Sequence, residues 1–346
     1  MIETLKKNYK LFKKKSVLIT GGTGSLGNKL TEIFLKHCSL KKLIIFSRDE
    51  LKQFEHRKKF EKEDKNNICR YFLGDVRDLE RLKLAFKDVD FIVHAAALKH
   101  VDQAEYNPYE FINTNINGAK NVIEASLYNN VSKVVALSTD KAANPINLYG
   151  ATKLASDKLF VSGNNITGNR KTRFSVARYG NVINSRGSVA PFFLSLVKNA
   201  TKIMPVTHKK MTRFWITLNE SANFIFMCFN EMKGGEIFIP KIPSIKIIDL
   251  AKAIAPKIPI KIIGLRPGEK IKEILCSQDE YINTIEFKKY FIIKPAVKII
   301  DSEVDYKVNK SGETGKLVQE NYEYNSENNT KFLDIKGIKR LLKKEL

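Results

Sequence analysis

A glycine-rich turn near the start of the chain constrains its fold more than any other stretch. The apolar run Ser16–Thr20 predicts a buried strand, and it leads directly into Gly21, Gly24 and Gly27. Apolar residues then recur every three to four positions from Leu26 onwards, which predicts a helix. Glycines at this spacing let the backbone turn tightly and approach a pyrophosphate, toward which the first amides of the helix point. The turn therefore predicts a dinucleotide-binding unit.

Short apolar runs and helical patterns alternate through the first half of the chain, which predicts an α/β protein with a Rossmann-type, doubly wound parallel sheet. Further strands are expected at residues 43–46, 71–73, 91–97, 134–137 and 174–177. After residue 180 the alternation weakens, which indicates a smaller C-terminal α/β lobe interleaved with the sheet. The expected division is a basic N-terminal segment at 1–15, a nucleotide-binding Rossmann domain at 16–180 and a mainly substrate-binding lobe at 181–346.

The composition narrows the class of protein. The chain has 346 residues, of which 43% are apolar, but no apolar run approaches the length of about 18 residues that a membrane span needs. Residues 1–15 lack the apolar stretch of a secretory signal, and we expect a frayed terminus or a subunit contact there. The four cysteines are scattered and form no metal-ligand spacing, so we expect buried thiols, no metal and a cytoplasmic location: Cys38, Cys69, Cys228 and Cys276.

The formal net charge of +23 raises the question of nucleic-acid binding. A nucleic-acid binder concentrates lysine and arginine on one face or arm, often with aromatic residues between them. Here the basic residues are spread through both halves of the chain. We therefore expect a solvated basic surface that attracts anionic nucleotides, and no nucleic-acid partner.

A second polar stretch, at residues 137–153, is expected where a strand ends and a helix begins. Open α/β sheets bind their ligands at such places, and this one carries Asp140, Lys141 and Tyr149. Lys153 lies four positions after Tyr149, so the two share one face of a helix, about 5 to 6 Å apart. A cation at that distance favours the phenolate and makes Tyr149 a better base. The same spacing is common by chance on any helix. Its position after the glycine turn strengthens the functional interpretation of this pair.

The choice of dinucleotide depends on the end of the second strand. Ser47 and Arg48 offer a hydroxyl and a guanidinium, which suit a ribose 2′-phosphate and so favour NADP. Asp49 and Glu50 follow immediately and would suit the free hydroxyl of NAD. Asp75, at the third strand end, is positioned to accept a hydrogen bond from an adenine amine.

Four further residues have the chemistry of ligand contacts. Lys99 follows the small residues that end the strand at 91–97, where a cofactor can lie close. Thr114 and Asn115 precede a helical pattern and suit either a cap or a ribose contact. Arg266 follows a predicted strand at residues 261–264 and is planar and bidentate, which suits a diphosphate.

Seven motifs together identify a resemblance. They are SRDELKQFE from Ser47, GDVRD from Gly74, HAAALKHV from His94, LSTDKAANPINLYGATKLASDKLF from Leu137, RYGNV from Arg178, MTRFW from Met211 and GGEIFIPKIPS from Gly234. With the glycine turn, these motifs resemble the extended short-chain dehydrogenase/reductase family, and within it the inverting UDP-N-acetylglucosamine 4,6-dehydratases that open pseudaminic acid biosynthesis. The similarity spans residues 16–329.

The resemblance implies a role for each residue of the second polar stretch. Tyr149 would deprotonate the C4 hydroxyl while C4 gives its hydride to NADP+, and Lys153 would hold the ribose and lower the pKa of Tyr149. Lys141 would remove the C5 proton, protonated Asp140 would donate to the departing C6 hydroxyl, and Thr139 would bind the C4 oxygen. Lys141 must then be neutral, and we expect Lys153 and the oxidised nicotinamide to lower its pKa. Related retaining dehydratases carry Glu at the position of Lys141.

Contacts of the family can be carried over to matching positions of this chain. The cofactor contacts so implied are Gly21, Thr23, Gly24, Ser25, Leu26, Gly27, Ser47, Arg48, Asp49, Glu50, Leu51, Lys52, Asp75, Val76, Ala95, Lys99, Thr114, Asn115, Tyr149, Lys153 and Val182. The contacts implied for the substrate, UDP-N-acetylglucosamine, are Lys99, Thr114, Asn115, Asn181, Thr207 and Arg266. Similar enzymes are homo-oligomers, so a dimer or hexamer is expected.

Some positions depart from the pattern. Asn184 stands where similar enzymes carry Gly, although Asn tolerates a left-handed backbone better than most residues. Asp102 replaces an expected Pro, and His208 an expected Asp. The alternatives to an inverting dehydratase are a C5-retaining dehydratase, a 4-epimerase of UDP-sugars, and a non-catalytic protein that binds NADP as a sensor or nucleic acid through its basic surface.

Overall fold

A ten-stranded sheet forms the centre of the protein. The computed structural model describes residues 8–185, 187–297 and 304–345. The strand order is β16-β14-β15-β10-β6-β5-β4-β1-β2-β3. Neighbouring strands from β3 to β10 run parallel, and β14, β15 and β16 add an antiparallel edge. The doubly wound fold expected from the sequence is confirmed.

The strands of the central sheet are β1 Ser16–Thr20, β2 Lys42–Ser47, β3 Cys69–Leu73, β4 Phe91–His94, β5 Lys133–Thr139, β6 Arg173–Tyr179, β10 Ile237–Pro240, β14 Thr284–Glu286, β15 Tyr290–Ile293 and β16 Lys316–Leu317. The six from the first half of the chain, β1 to β6, lie close to the predicted positions. The strand predicted at 91–97 ends earlier, at His94, and residues 95–100 form a loop. The strand order reverses between β1 and β4, which opens a crevice at the carboxyl ends of the strands.

Helices cover both faces of the sheet. The helices of the first half are α1 Ser25–His37, α2 Glu50–Phe60, α3 Leu79–Ala85, α4 Val101–Tyr106, α5 Pro108–Phe111, α6 Gly118–Tyr128 and α7 Leu148–Ser162, with a π-helical segment at Ile112–Asn117. The remaining helices are α8 Val189–Lys198, α9 Leu218–Glu231, α10 Ile247–Ile254 and α11 Ile335–Glu345. None of these helices combines the length and apolarity that crossing a membrane requires.

Three small sheets belong to the second half of the chain. They are formed by β7 Asn181–Val182, β9 Thr212–Ile216 and β11 Ser244–Lys246, by β8 Met204–Val206 and β12 Ile260–Ile262, and by β13 Ile274–Cys276 and β17 Tyr324–Asn325. A separate hydrophobic cluster fills this lobe around Phe193, Trp215, Leu250 and Ile338. Because β10, β14, β15 and β16 also come from after residue 180, the second half builds both the lobe and one side of the central sheet.

Residues 8–15 of the basic N-terminal segment pack against the core rather than forming a frayed end. Phe12 is fully buried and makes edge-on contacts with Phe34, Phe91 and Phe226, with ring centroids 5.1 to 5.4 Å apart. The Tyr9 hydroxyl donates to the Asn223 side chain at 2.9 Å. The expectation of a frayed terminus was therefore wrong for this part of the segment, and residues 1–7 lie outside the described range. The four cysteines are buried thiols, as expected.

Candidate active site

The glycine turn between β1 and α1 lies against the loop that follows β4. Gly21 has φ of +65°, and a Cβ built on it would lie 2.9 Å from the backbone nitrogen of Ala96. A Cβ on Gly27 would lie 2.1 Å from the Gly22 carbonyl oxygen. Gly24 occupies the N-cap of α1 without a capping side chain, so the helix presents its first amides to the crevice. Of the expected cofactor contacts, Thr23 lies in this turn, and Ser25 and Leu26 are the first residues of α1.

Asp49 is committed to its own helix. Its carboxylate accepts from the Lys52 backbone nitrogen at 2.9 Å and pairs with the Lys52 amine at 2.5 Å, which caps α2. The Ser47 hydroxyl accepts a hydrogen bond from the Gln53 amide at 3.1 Å. The Arg48 side chain is 48% exposed at the rim of the crevice. Arg48 is therefore the group of this strand end that remains able to meet an incoming phosphate.

Asp75 already has two cationic neighbours. Arg77 donates to its carboxylate at 2.9 and 2.7 Å, and an Arg48 nitrogen lies 3.4 Å away. An adenine contact was expected at Asp75, but its pairing with Arg77 was not, because a position two residues later in the sequence gives no sign of it. The adenine contact stays a prediction. So do the cofactor contacts of Val76, which is buried, and of Glu50 and Leu51, which lie in the first turn of α2.

The second polar stretch occupies the end of β5, a 3-10 turn at Asp140–Ala142 and the start of α7. The turn and the helix are in close contact, since a Cβ on Gly150 would lie 2.3 Å from the Lys141 carbonyl oxygen. Asn147 caps α7 by accepting from the Gly150 nitrogen at 2.8 Å. As expected, Tyr149 and Lys153 lie on α7, and both are buried. Local structure thus brings Thr139, Asp140, Lys141 and Tyr149 together.

The Lys153 amine is held at the end of β5, where it donates to the Leu137 carbonyl oxygen at 2.7 Å. Burial raises the pKa of Tyr149 to about 12, and the largest opposing influences are the Lys141 charge and a hydrogen bond with Thr139. Lys141 is therefore the principal cation that acts on the phenol, and a lowering of this pKa by Lys153 stays a prediction.

Lys141 lies between two carboxylates. Its amine is 3.0 Å from Asp140 Oδ1 and 3.1 Å from Glu273 Oε1. Burial disfavours the ammonium, but these two carboxylates outweigh it and raise the pKa of Lys141. This direction is opposite to the one expected for the reaction, and a lowering of this pKa by Lys153 and the oxidised nicotinamide stays a prediction. Glu273 was missed, because no local pattern signals that the residue before β13 returns to the end of β5.

Four buried polar atoms of this region have no hydrogen-bond partner among the described residues. They are Asp140 Oδ2, Glu273 Oε2, Thr114 Oγ1 and Asn181 Oδ1. Burial raises the pKa of Asp140, which is the direction that a proton donor requires. An unsatisfied buried polar atom is costly, so these atoms indicate a place where a polar ligand supplies the missing partners.

Asn115 uses its amide to hold the neighbouring loop. Its Oδ1 accepts from the Leu98 nitrogen at 2.9 Å, and its Nδ2 donates to the Leu98 carbonyl oxygen and to Thr152 Oγ1, both at 3.0 Å. Asn115 belongs to the π-helical segment, a distortion that is frequent at functional sites. It therefore ties this segment to α7 and to the loop that carries Ala95 and Lys99, and a ligand contact of its own stays a prediction.

The remaining predicted contacts lie around the crevice or in the second lobe. Lys99 is exposed, and the Ala95 nitrogen donates to the Thr20 carbonyl oxygen at the end of β1. Val182 is partly buried on β7, and the Thr207 hydroxyl donates to the Met211 sulfur at 3.2 Å. Arg266 is exposed after β12, and its backbone nitrogen is bound by Glu269.

A doubly wound sheet, a glycine turn at the switch point and a Tyr-x-x-x-Lys pair on the helix beside it define an enzyme of the extended short-chain dehydrogenase/reductase class. The family model described as "Polysaccharide biosynthesis protein" matches residues 17–295, and the chain belongs to this family.

Known proteins agree with this assignment. The chain is 55% identical to a UDP-N-acetylglucosamine 4,6-dehydratase (inverting) of Campylobacter jejuni, over 95% of this chain and 97% of the relative. It is 39% identical to a UDP-glucose 4-epimerase of Rickettsia bellii, over 96% of both chains. The crystal structure of Pen from Bacillus thuringiensis superposes with a TM-score of 0.83 at 36% identity, over 96% of this chain and 99% of that one.

Proposed function

We propose that this protein is a C5-inverting UDP-N-acetylglucosamine 4,6-dehydratase, a hydro-lyase that forms UDP-2-acetamido-2,6-dideoxy-β-L-arabino-hexos-4-ulose and water. The observation that carries the proposal is the side-by-side placement of Asp140 and Lys141 at the strand end that faces Tyr149. An acid, an amine and a phenol are the groups that such a water loss needs. The similarity to the inverting dehydratase of Campylobacter jejuni supports the same reading.

The crevice fits a dinucleotide cofactor, and we infer NADP. The bare N-cap at Gly24 and the close approach at Gly21 leave room for a pyrophosphate at the start of α1. Arg48 would hold the 2′-phosphate, because Asp49 is occupied by Lys52 and cannot bind a ribose diol without giving up its cap. The bound nicotinamide would supply the hydride chemistry of the reaction, as an acceptor for the C4 hydrogen with its electron pair and, once reduced, as the donor to C6.

The protein groups divide the proton transfers among them. Tyr149 takes the C4 hydroxyl proton, and Thr139, which is hydrogen-bonded to it, holds the oxygen. Lys141 removes the C5 proton once a ketone at C4 has made it acidic. Asp140 donates to the C6 hydroxyl, which leaves as water, and C5 is reprotonated from the opposite face. Lys153, fixed at the Leu137 carbonyl, borders the place of the nicotinamide ribose.

The substrate would be held in part by buried polar atoms that lack a hydrogen-bond partner among the described residues. Thr114 and Asn181 each present such an atom, and Lys99, Asn115 and Thr207 complete the proposed set around the sugar. Arg266 would clamp the diphosphate from the loop after β12.

The test is the product formed from UDP-N-acetylglucosamine in heavy water. We expect a product lighter by one water, with deuterium and the inverted configuration at C5 in its NMR spectrum. Lys141→Ala should lower turnover by about 10²-fold or more, because a positioned general base contributes that much. Lys158→Ala removes an exposed lysine of α7, the helix that carries Tyr149, and should leave turnover unchanged. Full activity of Lys141→Ala would refute the assigned base.

The similarity to a UDP-glucose 4-epimerase makes epimerisation the second candidate. Epimerisation conserves mass, so a product isomeric with the substrate would replace the dehydratase proposal by this one. Retention at C5 with loss of water would instead identify a retaining dehydratase.

The cofactor proposal has its own measurement. Arg48→Ala should weaken NADP binding by about tenfold or more while changing NAD binding little, since one charge-assisted contact to a phosphate is lost. Titration calorimetry with each dinucleotide measures this. Lys58→Ala, an exposed lysine of α2, is the matched control. An equal loss for both dinucleotides would contradict a 2′-phosphate site at Arg48.

We further propose a cytoplasmic homo-oligomer, a dimer or a hexamer, that serves the synthesis of pseudaminic acid or a related surface sugar. Light scattering coupled to gel filtration measures the assembly, and a monomeric mass at micromolar concentration would contradict it.

A further inference from the structure

Four charged side chains from three parts of the chain converge behind the end of β5. We call Asp140, Lys141, Glu273 and Arg213 the acid–base cluster. Lys141 is bonded to both carboxylates, and Arg213 Nε lies 3.5 Å from Glu273 Oε1. Asp140, Glu273 and Arg213 are more than nine-tenths buried. Two cations and two carboxylates give a neutral cluster when all four are charged.

This arrangement creates a difficulty for the proposed reaction. The elimination needs Lys141 as a neutral amine and Asp140 as a neutral acid, whereas a lysine between two carboxylates is held as an ammonium. Losing that proton to solvent would leave a net negative charge in a buried place, which is unfavourable. A route that keeps the total charge of the cluster unchanged avoids this cost.

We infer, on the basis of the proposed function, that Lys141 passes a proton to Asp140 along their 3.0 Å hydrogen bond, and that Glu273 is the positioning residue that controls the charge of Lys141. A single transfer converts the ammonium and the carboxylate into the base and the acid that the reaction needs. The cluster remains neutral, because no proton enters or leaves it.

The elimination then restores the starting charges. The C5 proton moves to the Lys141 nitrogen, and the electron pair of the C5–H bond forms the C5–C6 double bond. The C6–O bond breaks with its electron pair on oxygen, and this oxygen takes the proton of Asp140 to leave as water. Lys141 is again an ammonium and Asp140 a carboxylate.

Glu273 acts through distance and charge rather than through contact with the sugar. Its Oε1 is shared between Lys141 and Arg213, and its backbone nitrogen is fixed by Ser326 Oγ at 2.9 Å. The groups that face Lys141 are Asp140 on its own turn, Glu273 before β13, Arg213 on β9, Tyr149 on α7 and, farther away, Lys270. Glu273 is the group of this set that favours the ammonium without a proposed chemical step of its own.

The charge of Lys141 can be measured without cofactor or substrate. An amine-acylating reagent reacts with the neutral form only, and peptide mass spectrometry gives the labelling rate at Lys141 over a range of pH. Glu273→Gln keeps the shape and removes the charge, so we expect Lys141 to be labelled about tenfold faster, which equals about one pKa unit. Arg213→Gln should slow the labelling. Glu323→Gln, which breaks the nearby pair with Lys272, is the control and should leave the labelling rate of Lys141 unchanged.

The catalytic readout is the pH profile of water loss, measured in single turnovers after the ketone has formed. In the parent enzyme the rate of water loss should rise with pH through a single acidic limb and stay constant at higher pH. Glu273→Gln should move that limb down by about one to three pH units, and Arg213→Gln should move it up. Oxidation at C4, followed by the cofactor absorbance, should be unshifted in Glu273→Gln.

Two results would overturn the inference. One is that Glu273→Gln changes neither the acidic limb of the pH profile nor the labelling rate of Lys141. The other is an elimination rate that rises tenfold per pH unit across neutral pH, since this would show that the proton goes to solvent. If the parent enzyme removes no water from UDP-N-acetylglucosamine, the proposed function fails, and the labelling rates still decide whether Glu273 controls the charge of Lys141.

Discussion

Individual glycines decide whether the nucleotide turn can form. Replacing Gly27 by Ala would place a Cβ 2.1 Å from the Gly22 carbonyl oxygen, so that α1 or the turn must move. We expect a loss of about 1 to 3 kcal/mol in the free energy of unfolding, together with weaker dinucleotide binding. Urea denaturation and titration calorimetry measure the two effects.

Gly168 supplies the control for this substitution. It has φ of +54° but open space around a built Cβ, so Gly168→Ala adds backbone strain of about 1 kcal/mol without a collision and should not affect binding. Unchanged dinucleotide affinity in Gly27→Ala would show that the close contact does not shape the site.

At single positions, the sequence predicted local geometry better than charge. Asn184, where similar enzymes carry Gly, has φ of +59°, as its tolerance of a left-handed backbone suggested. In this structure the pKa values of Tyr149 and Lys141 are both raised, opposite to the direction expected for the reaction. Burial raises that of Tyr149, whereas Asp140 and Glu273 raise that of Lys141. Neither burial nor Glu273, which is far away in sequence, can be inferred from a helical spacing such as that of Tyr149 and Lys153.

The elements that carry the site are held together by one buried arginine. Arg178, at the end of β6, is fully buried and contacts Asp157 of α7 at 3.3 Å and Glu280 of a 3-10 turn at 3.1 Å. Asp157 also accepts from the Ser138 hydroxyl of β5 at 2.7 Å. The sequence placed Arg178 at a strand end but could not show that it joins β5, β6, α7 and the second lobe.

Removing this arginine should destabilise the protein strongly. Arg178→Met leaves Asp157 buried without its cation, and we expect a loss of about 3 to 5 kcal/mol in urea denaturation. In an Asp157→Asn/Glu280→Gln background the same change should cost clearly less, because neither carboxylate is then left without its cation. The exposed pair of Lys36 and Glu32 is the control, and Lys36→Met should cost at most about 1 kcal/mol. Equal costs in the two backgrounds would contradict the charge argument.

Strand ends and irregular segments were the least predictable elements. The sequence extended β4 to residue 97, because small apolar residues continue after His94. The Thr20 hydroxyl ends the strand there, since it accepts from the Ala95 and Ala96 nitrogens at 3.1 and 3.2 Å and so turns the chain away. The π-helical segment at Ile112–Asn117 has no sequence signal, because its distortion is fixed by contacts with α7 and the β4 loop.

The stability of the whole molecule should depend on pH through a histidine at the switch point of the sheet. His94 is buried on β4, and its Nδ1 lies 2.8 Å from the Thr20 hydroxyl. That hydroxyl accepts from two backbone amides, so it donates its proton to His94 Nδ1. Burial, aided by the Lys153 charge, lowers the pKa of His94 to about 3. His94 is therefore neutral in the folded protein throughout the physiological range.

The sign of the effect follows from the proton balance. Below the ordinary histidine pKa of about 6.5, His94 binds a proton in the unfolded chain but not in the folded protein. The free energy of unfolding is therefore not reduced by this group above that pH, and it decreases as the pH falls from about 6.5 toward about 3. Between pH 7 and pH 5 this single group should cost about 2 kcal/mol of unfolding free energy. The glutamine of His94→Gln binds no proton. Between pH 7 and pH 5, the unfolding free energy of this variant should therefore fall by about 2 kcal/mol less than that of the parent protein.

His56 provides a comparison on the same molecule. It is buried beside Tyr71, and burial lowers its pKa to about 4, so His56→Gln should relieve a similar part of the acid sensitivity. Since His94 joins β1 to β4 while His56 only anchors α2 on β3, His94→Gln should also weaken dinucleotide binding and His56→Gln should not. Urea denaturation at several pH values and calorimetry at pH 7 measure both quantities. Parallel pH profiles of the parent and His94→Gln would show that this histidine does not link the sheet's stability to protons.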